Sequence, residues 1–469
     1  SRGWVGQLIG VNSAMSFSDD GGESWTPNEG GPPLAATDHQ TIAAGPYPAS
    51  LAPLFPTPLF PNAFYYCGQD IAFASCARSD NGGLTFNQAV PIYTINDCAG
   101  IHGHVRVAPD GTVAVPSKAC GTNVAITVSE DGGTTWAIRK VPGSIPSIRD
   151  PSIAWATDNT GYFCHSHGPG RALVSVTKDK GATWQPTVEL GAEMGIKHVM
   201  FTHAIAGDPD RATCAYVGTT TEGNPVAADF AGLWHVYFST TYDGGKSWIT
   251  VNATPNDIVQ GVGGIWNSGG DTTNRNLLDF NEITIDENGY PMYGYADGCM
   301  GGCELDPTQN PFAAFPKIVR QIAGKPLYAE NDGTEPRAPA DACLAGTRTE
   351  ERTQLSWKVP ENGGAAINGY KIYRSLNPAV ATSSANLVGS TDGTPAFIDD
   401  TASVSVAKYY YRVTALNASG EGIGSNEIEL PLGAGEMLEN ICLVPGATLL
   451  EDPVGDLITP TGQATVAQL

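Results

Sequence analysis

Ser129-Glu130-Asp131-Gly132-Gly133-Thr134-Thr135-Trp136 decides how this chain folds, because it is one of five copies of a single turn. The others read Ser18-Asp19-Asp20-Gly21-Gly22-Glu23-Ser24-Trp25, Ser79-Asp80-Asn81-Gly82-Gly83-Leu84-Thr85-Phe86, Thr177-Lys178-Asp179-Lys180-Gly181-Ala182-Thr183-Trp184 and Thr241-Tyr242-Asp243-Gly244-Gly245-Lys246-Ser247-Trp248. Their shared pattern is S/T-x-D/N-x-G-x-S/T-W/F. The Asp or Asn and the hydroxyls hydrogen-bond turn backbone, Gly takes a positive φ, and the aromatic plugs the hairpin onto a core. Asp20, Asn81, Asp131, Asp179 and Asp243 therefore read as turn staples and not as catalytic acids.

Spaced copies of one hairpin imply a radial repeat, which predicts an all-β chain built on a β-propeller. Before most of the turns lies an apolar strand pair with its own tight turn, at Asp110-Gly111, Asn159 to Gly161 and Glu287 to Gly289. Strand, hairpin, strand, repeat turn, strand makes a four-stranded blade. Inner strands are expected to begin near Thr41, Val105, Ser152, Val199 and Ile283. Residues 1–37 add a partial blade, for a total of six. The last blade carries no repeat turn, and its outer strands are expected from Lys317–Ile322 and around Leu327. Gly45–Asn62 and Asn252–Asn276 read as long rim insertions.

Domain boundaries are expected at 1–334 for the propeller, 335–432 for a second domain and 433–469 for a C-terminal extension. The linker around Glu335–Pro339 is punctuated by proline. Beyond it come Leu355-Ser356-Trp357, Ile367-Asn368-Gly369-Tyr370-Lys371-Ile372-Tyr373-Arg374 and Tyr409-Tyr410-Tyr411-Arg412-Val413-Thr414-Ala415. A core Trp followed by alternating tyrosines predicts a seven-stranded sandwich. Leu449-Leu450-Glu451-Asp452-Pro453-Val454-Gly455-Asp456 reads as the opening of a further β module, and Ser1 as a processed or trimmed start.

The chain has 469 residues, too many for one ordinary core, and 56 glycines and 34 prolines, as many short strands and turns require. Its formal net charge of −23 leaves little basic surface to neutralise phosphates, which speaks against a nucleic-acid partner. No apolar run is long enough to cross a bilayer. Ten cysteines show no zinc-site spacing and no accompanying His cluster, so disulfides and an oxidising, extracellular or cell-surface location are expected. Local pairing is expected for Cys67 with Cys76, Cys98 with Cys120, Cys164 with Cys214 and Cys299 with Cys303, leaving Cys343 and Cys442.

Inner strands converge on an axis, so the residues that open them should meet on one face. These openings are polar: Asp38-His39-Gln40, His102-Gly103-His104, Arg149-Asp150, Lys197-His198 and Asp279-Phe280-Asn281-Glu282, with Arg275 just ahead. Asp150, Asp279 and Glu282 are the candidate catalytic carboxylates for glycosidic cleavage. Arg149, Arg275, His39, His102, His104, His198 and Asp38 are the candidate substrate-binding residues. No metal is assigned. Two alternatives stand beside this reading: imidazoles of His39, His102, His104 and His198 sharing an ion, and calcium in the Asp297-Gly298-Cys299 loop with Glu304 and Asp306.

By its repeat turns and blade pattern, the stretch 1–330 resembles the sialidase-like superfamily of Asp-box, or BNR-repeat, propellers of secreted bacterial type. The stretch 337–432 resembles the fibronectin type III domain. The first resemblance implies export, engagement of glycans at the axial face and, at its furthest, glycoside hydrolysis. Sialidases hold the substrate carboxylate with three arginines, beginning at an Arg-Ile-Pro segment. This chain has no such segment; Arg149-Asp150-Pro151 is its nearest equivalent, with Arg106, Arg275 and Arg320 the other candidate arginines. The alternative function is a non-catalytic extracellular surface, adhesion or assembly protein whose partners are glycans, other surface proteins or copies of itself.

Overall fold

The computed structural model describes residues 2–9, 12–28, 38–51, 60–147, 149–167, 170–255, 257–266, 268, 270–278, 281–321, 324–332, 342–360, 362, 366–418, 420–433 and 449–452. They fall into two compact units divided between Arg320 and Gln321, with Glu451 and Asp452 grouped with the first.

Six antiparallel sheets follow one another along the first unit. The first has three strands: Gly3–Ile9, Asn12–Ser18 and Thr26–Asn28. The second to fifth have four each and open on Asp38–Pro46, Arg106–Val107, Ser152–Trp155 and His198–Ala206. The sixth runs Glu282–Ile285, Pro291–Asp297, Phe315–Gln321 and then Leu449–Asp452. The five expected inner strands are all strands. Two outer-strand expectations need correction. The residues around Leu327 form no strand, and the fourth strand of the sixth sheet comes from 449–452, the stretch expected to open a new module.

Sheets stack on sheets in chain order, and the strand period of two explains how. In the third sheet Val113, Val115 and Ala125 pack into a cluster with Tyr65, Cys67 and Tyr93 of the second sheet. Their alternate neighbours Ala114, Val124, Ile126 and Val128 pack into a cluster with Ile153 and Phe163 of the fourth. Strands buried on both faces carry apolar or small residues at nearly every position, and Asn123–Ser129 and Ala212–Thr219 do. Each fully buried Ile or Val contributes about 1.5–3 kcal/mol.

The repeat turns behave as the sequence predicts, with one bonding scheme in five places. The opening hydroxyl donates to the Asp or Asn and accepts from the second Gly N–H, as in Ser129 Oγ to Asp131 Oδ1 (2.9 Å) and Gly133 N to Ser129 Oγ (2.8 Å). Two turns away in the chain, Thr241 and Asp243 repeat it at 2.9 Å with Gly245 N at 2.9 Å. That second glycine sits at φ between 85° and 95° in all five copies, a region that L side chains rarely adopt. The aromatic then lies against the preceding sheet: Phe86, Trp136, Trp184 and Trp248 each pack on the cluster shared with the sheet before. Trp25, in the first sheet, is 45% exposed. In four sheets the turn joins the third strand to the fourth, yet in the first sheet it joins the second to the third. Among the described residues, the first sheet therefore has no counterpart of the strand that opens each of the others.

Four disulfides form as expected: Cys67–Cys76, Cys98–Cys120, Cys164–Cys214 and Cys299–Cys303. The Cys343 side chain and Cys442 lie outside the described residues.

In the second unit, a sheet of Cys343–Arg348, Thr353–Lys358 and Ala396–Asp399 packs on a five-stranded sheet centred on Gly369–Ser375 and Lys408–Asn417. Trp357 and Tyr370 meet edge to face at 5.1 Å in the shared core, joined by Tyr409 and Tyr411. Tyr410 points the other way onto Tyr373 and Val380. Arg348, 1% exposed, donates to the carbonyls of Leu430, Ser403 and Val406 and lies 4.7 Å over the Tyr409 ring.

Candidate functional site

The opening strands of the second to sixth sheets lie beside one another in order, and their first residues bring remote parts of the chain together. Glu282, which opens the sixth sheet, accepts from Arg106 Nη2 at 2.6 Å and meets His104 Nδ1 at 2.8 Å, both from the third sheet. From the fifth sheet, His203 Nδ1 comes to 3.5 Å from Glu282 Oε1. Burial works to raise the Glu282 carboxyl, but Arg106 with His104 and His203 holds it well below the usual carboxylate range. Burial also lowers His203 from its ordinary value, against the pull of Glu282.

Beside this cluster lies a pocket of about 60 Å³, lined among others by His39, His104, Lys118, Arg149, Asp150, Phe201 and His203. Asp150 is held by Lys118 Nζ at 2.9 Å and faced by His39 Nε2 at 3.5 Å. Nδ1 of His39 is 2.7 Å from the His102 carbonyl, which fixes that nitrogen as the donor and leaves Nε2 toward the carboxylate. Arg149 is 2% exposed; burial lowers its guanidinium to about 10, against the pull of neighbouring Asp150.

Two β-bulges shape the pocket. The pairing slips between Asp38 and Thr41 in the second sheet and between Met200 and His203 in the fifth, and His39 and Phe201 there take φ of 50° and 54°. A non-glycine residue at positive φ within a bulge costs free energy and re-aims its neighbours, and such devices cluster at sites. The bulge in the fifth sheet inserts one extra residue, so His198 and His203, five apart, oppose Thr219 and Ala215, four apart on the next strand, and share a sheet face that plain alternation would deny them. Packing is tight as well: a Cβ on Gly103 would stand 2.0 Å from the Pro151 carbonyl oxygen.

The sequence candidates divide accordingly. His39, His104, Arg149 and Asp150 line the pocket, and Glu282 adjoins it. His102 is fully buried behind it, its Nδ1 at 2.8 Å from the Gly103 carbonyl and its ring lowered by burial to about 4. His198 is buried edge-on to Phe230 at 6.0 Å and does not line the pocket. Asp38 is exposed and accepts from the His39 N–H. Arg275 ends a short 3-10 helix, Thr273–Arg275, with its Nε donating to the Ser268 carbonyl away from the pocket. Asp279 lies outside the described residues.

The imidazole grouping needs correction: His104 meets His203, not His102 or His198. So does the acidic loop. Asp297 is completely buried against Lys317 at 2.7 Å, and Asp306 caps a turn by accepting from Thr308, so these oxygens are spent on the protein itself. Sequence reasoning missed Lys118 and His203. Nothing marked Lys118, which sits late in a second strand, whereas His203 was hidden by the bulge.

No family model and no curated protein matches the chain. Among solved structures, the Hadza microbial sialidase Hz136 is similar at 15% identity over 61% of this chain and 57% of its own, with a TM-score of 0.34. The NanB sialidase from Streptococcus pneumoniae is similar at 10% identity over 63% and 62%, TM-score 0.34. A Fn3-like protein from Clostridium thermocellum is similar at 23% identity over 21% of this chain and 99% of its own, TM-score 0.18. The chain thus spans less than two thirds of the length of either sialidase. At these identities and scores the likenesses carry nothing about the residues of the pocket.

Proposed function

We propose that the first unit is a six-bladed, sialidase-like propeller in a secreted protein, that the second is a fibronectin type III sandwich, and that the hub pocket engages an anionic glycan. One observation carries the reading: a chain of net charge −23 gathers Lys118, Arg149, His39, His104 and His203 around one pocket whose carboxylate is Asp150. Guanidinium and ammonium donors converging in a half-buried site favour a carboxylate or sulfate group. A cavity of about 60 Å³ holds roughly four to six waters, so it takes the charged substituent of a sugar while the rest of the glycan lies outside.

Binding without cleavage fits better than hydrolysis. A glycosidase needs one carboxyl free to protonate the leaving oxygen and a second across the bond. Of the candidate catalytic carboxylates within the described residues, Asp150 is already engaged by Lys118 and His39, and Glu282 by Arg106 and His104. This favours the adhesive alternative, a surface protein that holds glycans and leaves them intact.

A panel of neutral, sialylated, uronate-containing and sulfated glycans, read for binding and for new reducing ends, tests the proposal. Anionic members should bind, Lys118→Met should weaken them at least tenfold, and no reducing ends should appear. Equal retention of neutral and anionic sugars ends the reading. Cleavage that disappears in Asp150→Asn restores the hydrolytic one.

A further inference from the structure

The geometry points to a binding site for a divalent first-row transition ion of the Zn²⁺ class, with His104, His203 and Glu282 as its three protein ligands. One ligand atom from each residue lies within 4.8 Å of the other two, although the three belong to the third, fifth and sixth sheets. Two imidazoles and one carboxylate with room for a further ligand is a donor set that suits zinc and its neighbours and does not suit calcium, which wants oxygen.

The distances are close to what an ion needs. Ligand bonds of about 2.0–2.2 Å in a tetrahedron leave ligand atoms roughly 3.3 Å apart. Glu282 Oε1 and His203 Nδ1 stand 3.5 Å apart and His104 Nδ1 is 2.8 Å from Glu282 Oε2, so the carboxylate lies between the two imidazoles with an oxygen toward each, and small side-chain rotations would bring both rings onto one of them. His104 is a third exposed and has space for such a rotation.

A second observation concerns His203 itself. His203 is 8% exposed, and its Nδ1 is buried facing Glu282 Oε1 at 3.5 Å, without a hydrogen bond of normal geometry. A buried polar atom left without a hydrogen bond is costly, and an ion on that nitrogen would remove the penalty.

Arg106 is the apparent objection, since its guanidinium lies 2.6 Å from Glu282 Oε1. It occupies one oxygen, however, and leaves Oε2 beside His104; a carboxylate held at its far end by a hydrogen bond is the usual outer support of a metal ligand. His104 and His203 also line the pocket, so the remaining coordination position opens into it.

Titration calorimetry of the tag-free, chelator-treated full chain with ZnCl₂ is the test, with CaCl₂ as the comparison and no sugar present. One equivalent of Zn²⁺ should bind, Ca²⁺ should not compete, and Co²⁺ should give a visible absorption band. His104→Gln, on the partly exposed ring, should weaken Zn²⁺ at least tenfold, as should Glu282→Gln, with near-UV circular dichroism establishing that each variant folds. His167→Gln, an exposed histidine away from the cluster, should bind as the parent does. The proposal is overturned by an absence of Zn²⁺ binding, by affinity that survives His104→Gln in a folded protein, or by Ca²⁺ binding of equal strength. None of these outcomes touches the glycan reading, which is measured separately.

Discussion

His102 and His165 are imidazoles that the fold keeps dry, and their cost appears as acid sensitivity. Burial lowers each to about 4, from an ordinary value near 6.5, and His102 is further disfavoured as a cation by neighbouring His39. Below pH 6.5 the unfolded chain takes up protons on these rings that the folded chain refuses. The stability they leave intact above pH 6.5 is therefore lost as pH falls toward 4, by an order of a few kcal/mol for each ring at the limit. Urea denaturation at pH 7 and pH 4.5 should show a lower midpoint in acid, and His165→Phe should flatten that dependence while also losing the contact to Ser175 Oγ at 3.0 Å. A midpoint indifferent to pH across this window contradicts the account. At this scale the sequence was legible in part. The polar openings announced His39, His104, Arg149, Asp150 and Glu282, because residue type and strand position sufficed. They could not announce His203, since alternation predicts sides only in a strand without bulges.

The repeat turns are the elements whose physics the sequence carries most openly. Asp131 accepts from Ser129 Oγ, from the backbone N–H groups of Thr134 and Thr135, and from Thr135 Oγ1 at 2.6 Å, so one side chain closes the whole turn. Asp131→Ala should destabilise the first unit by about 2–3 kcal/mol, at roughly 0.5–1.5 kcal/mol for each net bond lost and with water replacing part of the loss at this exposed tip. Thermal unfolding checks this, and Asp131→Asn, which keeps an acceptor as Asn81 does in its own copy, should recover most of the difference. The turns were legible because every bond in them is local. The outer strand of the sixth sheet was not, since it pairs residues more than a hundred positions apart, and apolar runs such as Leu449-Leu450 do not name their partners.

Across the whole molecule, the cross-links act at different ranges. Cys67 and Cys76 face each other on neighbouring strands of the second sheet, whereas Cys164 and Cys214 join the second strands of the fourth and fifth sheets. With 50 residues between its ends, the latter bond restricts the unfolded chain most, by about 4 kcal/mol on the loop-entropy estimate. Titration of the denatured, unreduced chain should find no more than two reactive thiols, and a Cys164→Ala, Cys214→Ala double variant should unfold several degrees below the parent. Eight or more free thiols would reject both the pairing and the oxidising location it implies.

The strand Leu449–Asp452, beside Phe315–Gln321, has a consequence for the order of events during biosynthesis. A ribosome releases the first unit's sixth sheet well before it has made the residues that cover its rim. Until then, the backbone groups along Phe315–Gln321 remain open to any passing chain, including a sister copy. The intervening segment from Gln321 to Leu450 is thus translated while its neighbour waits unfinished.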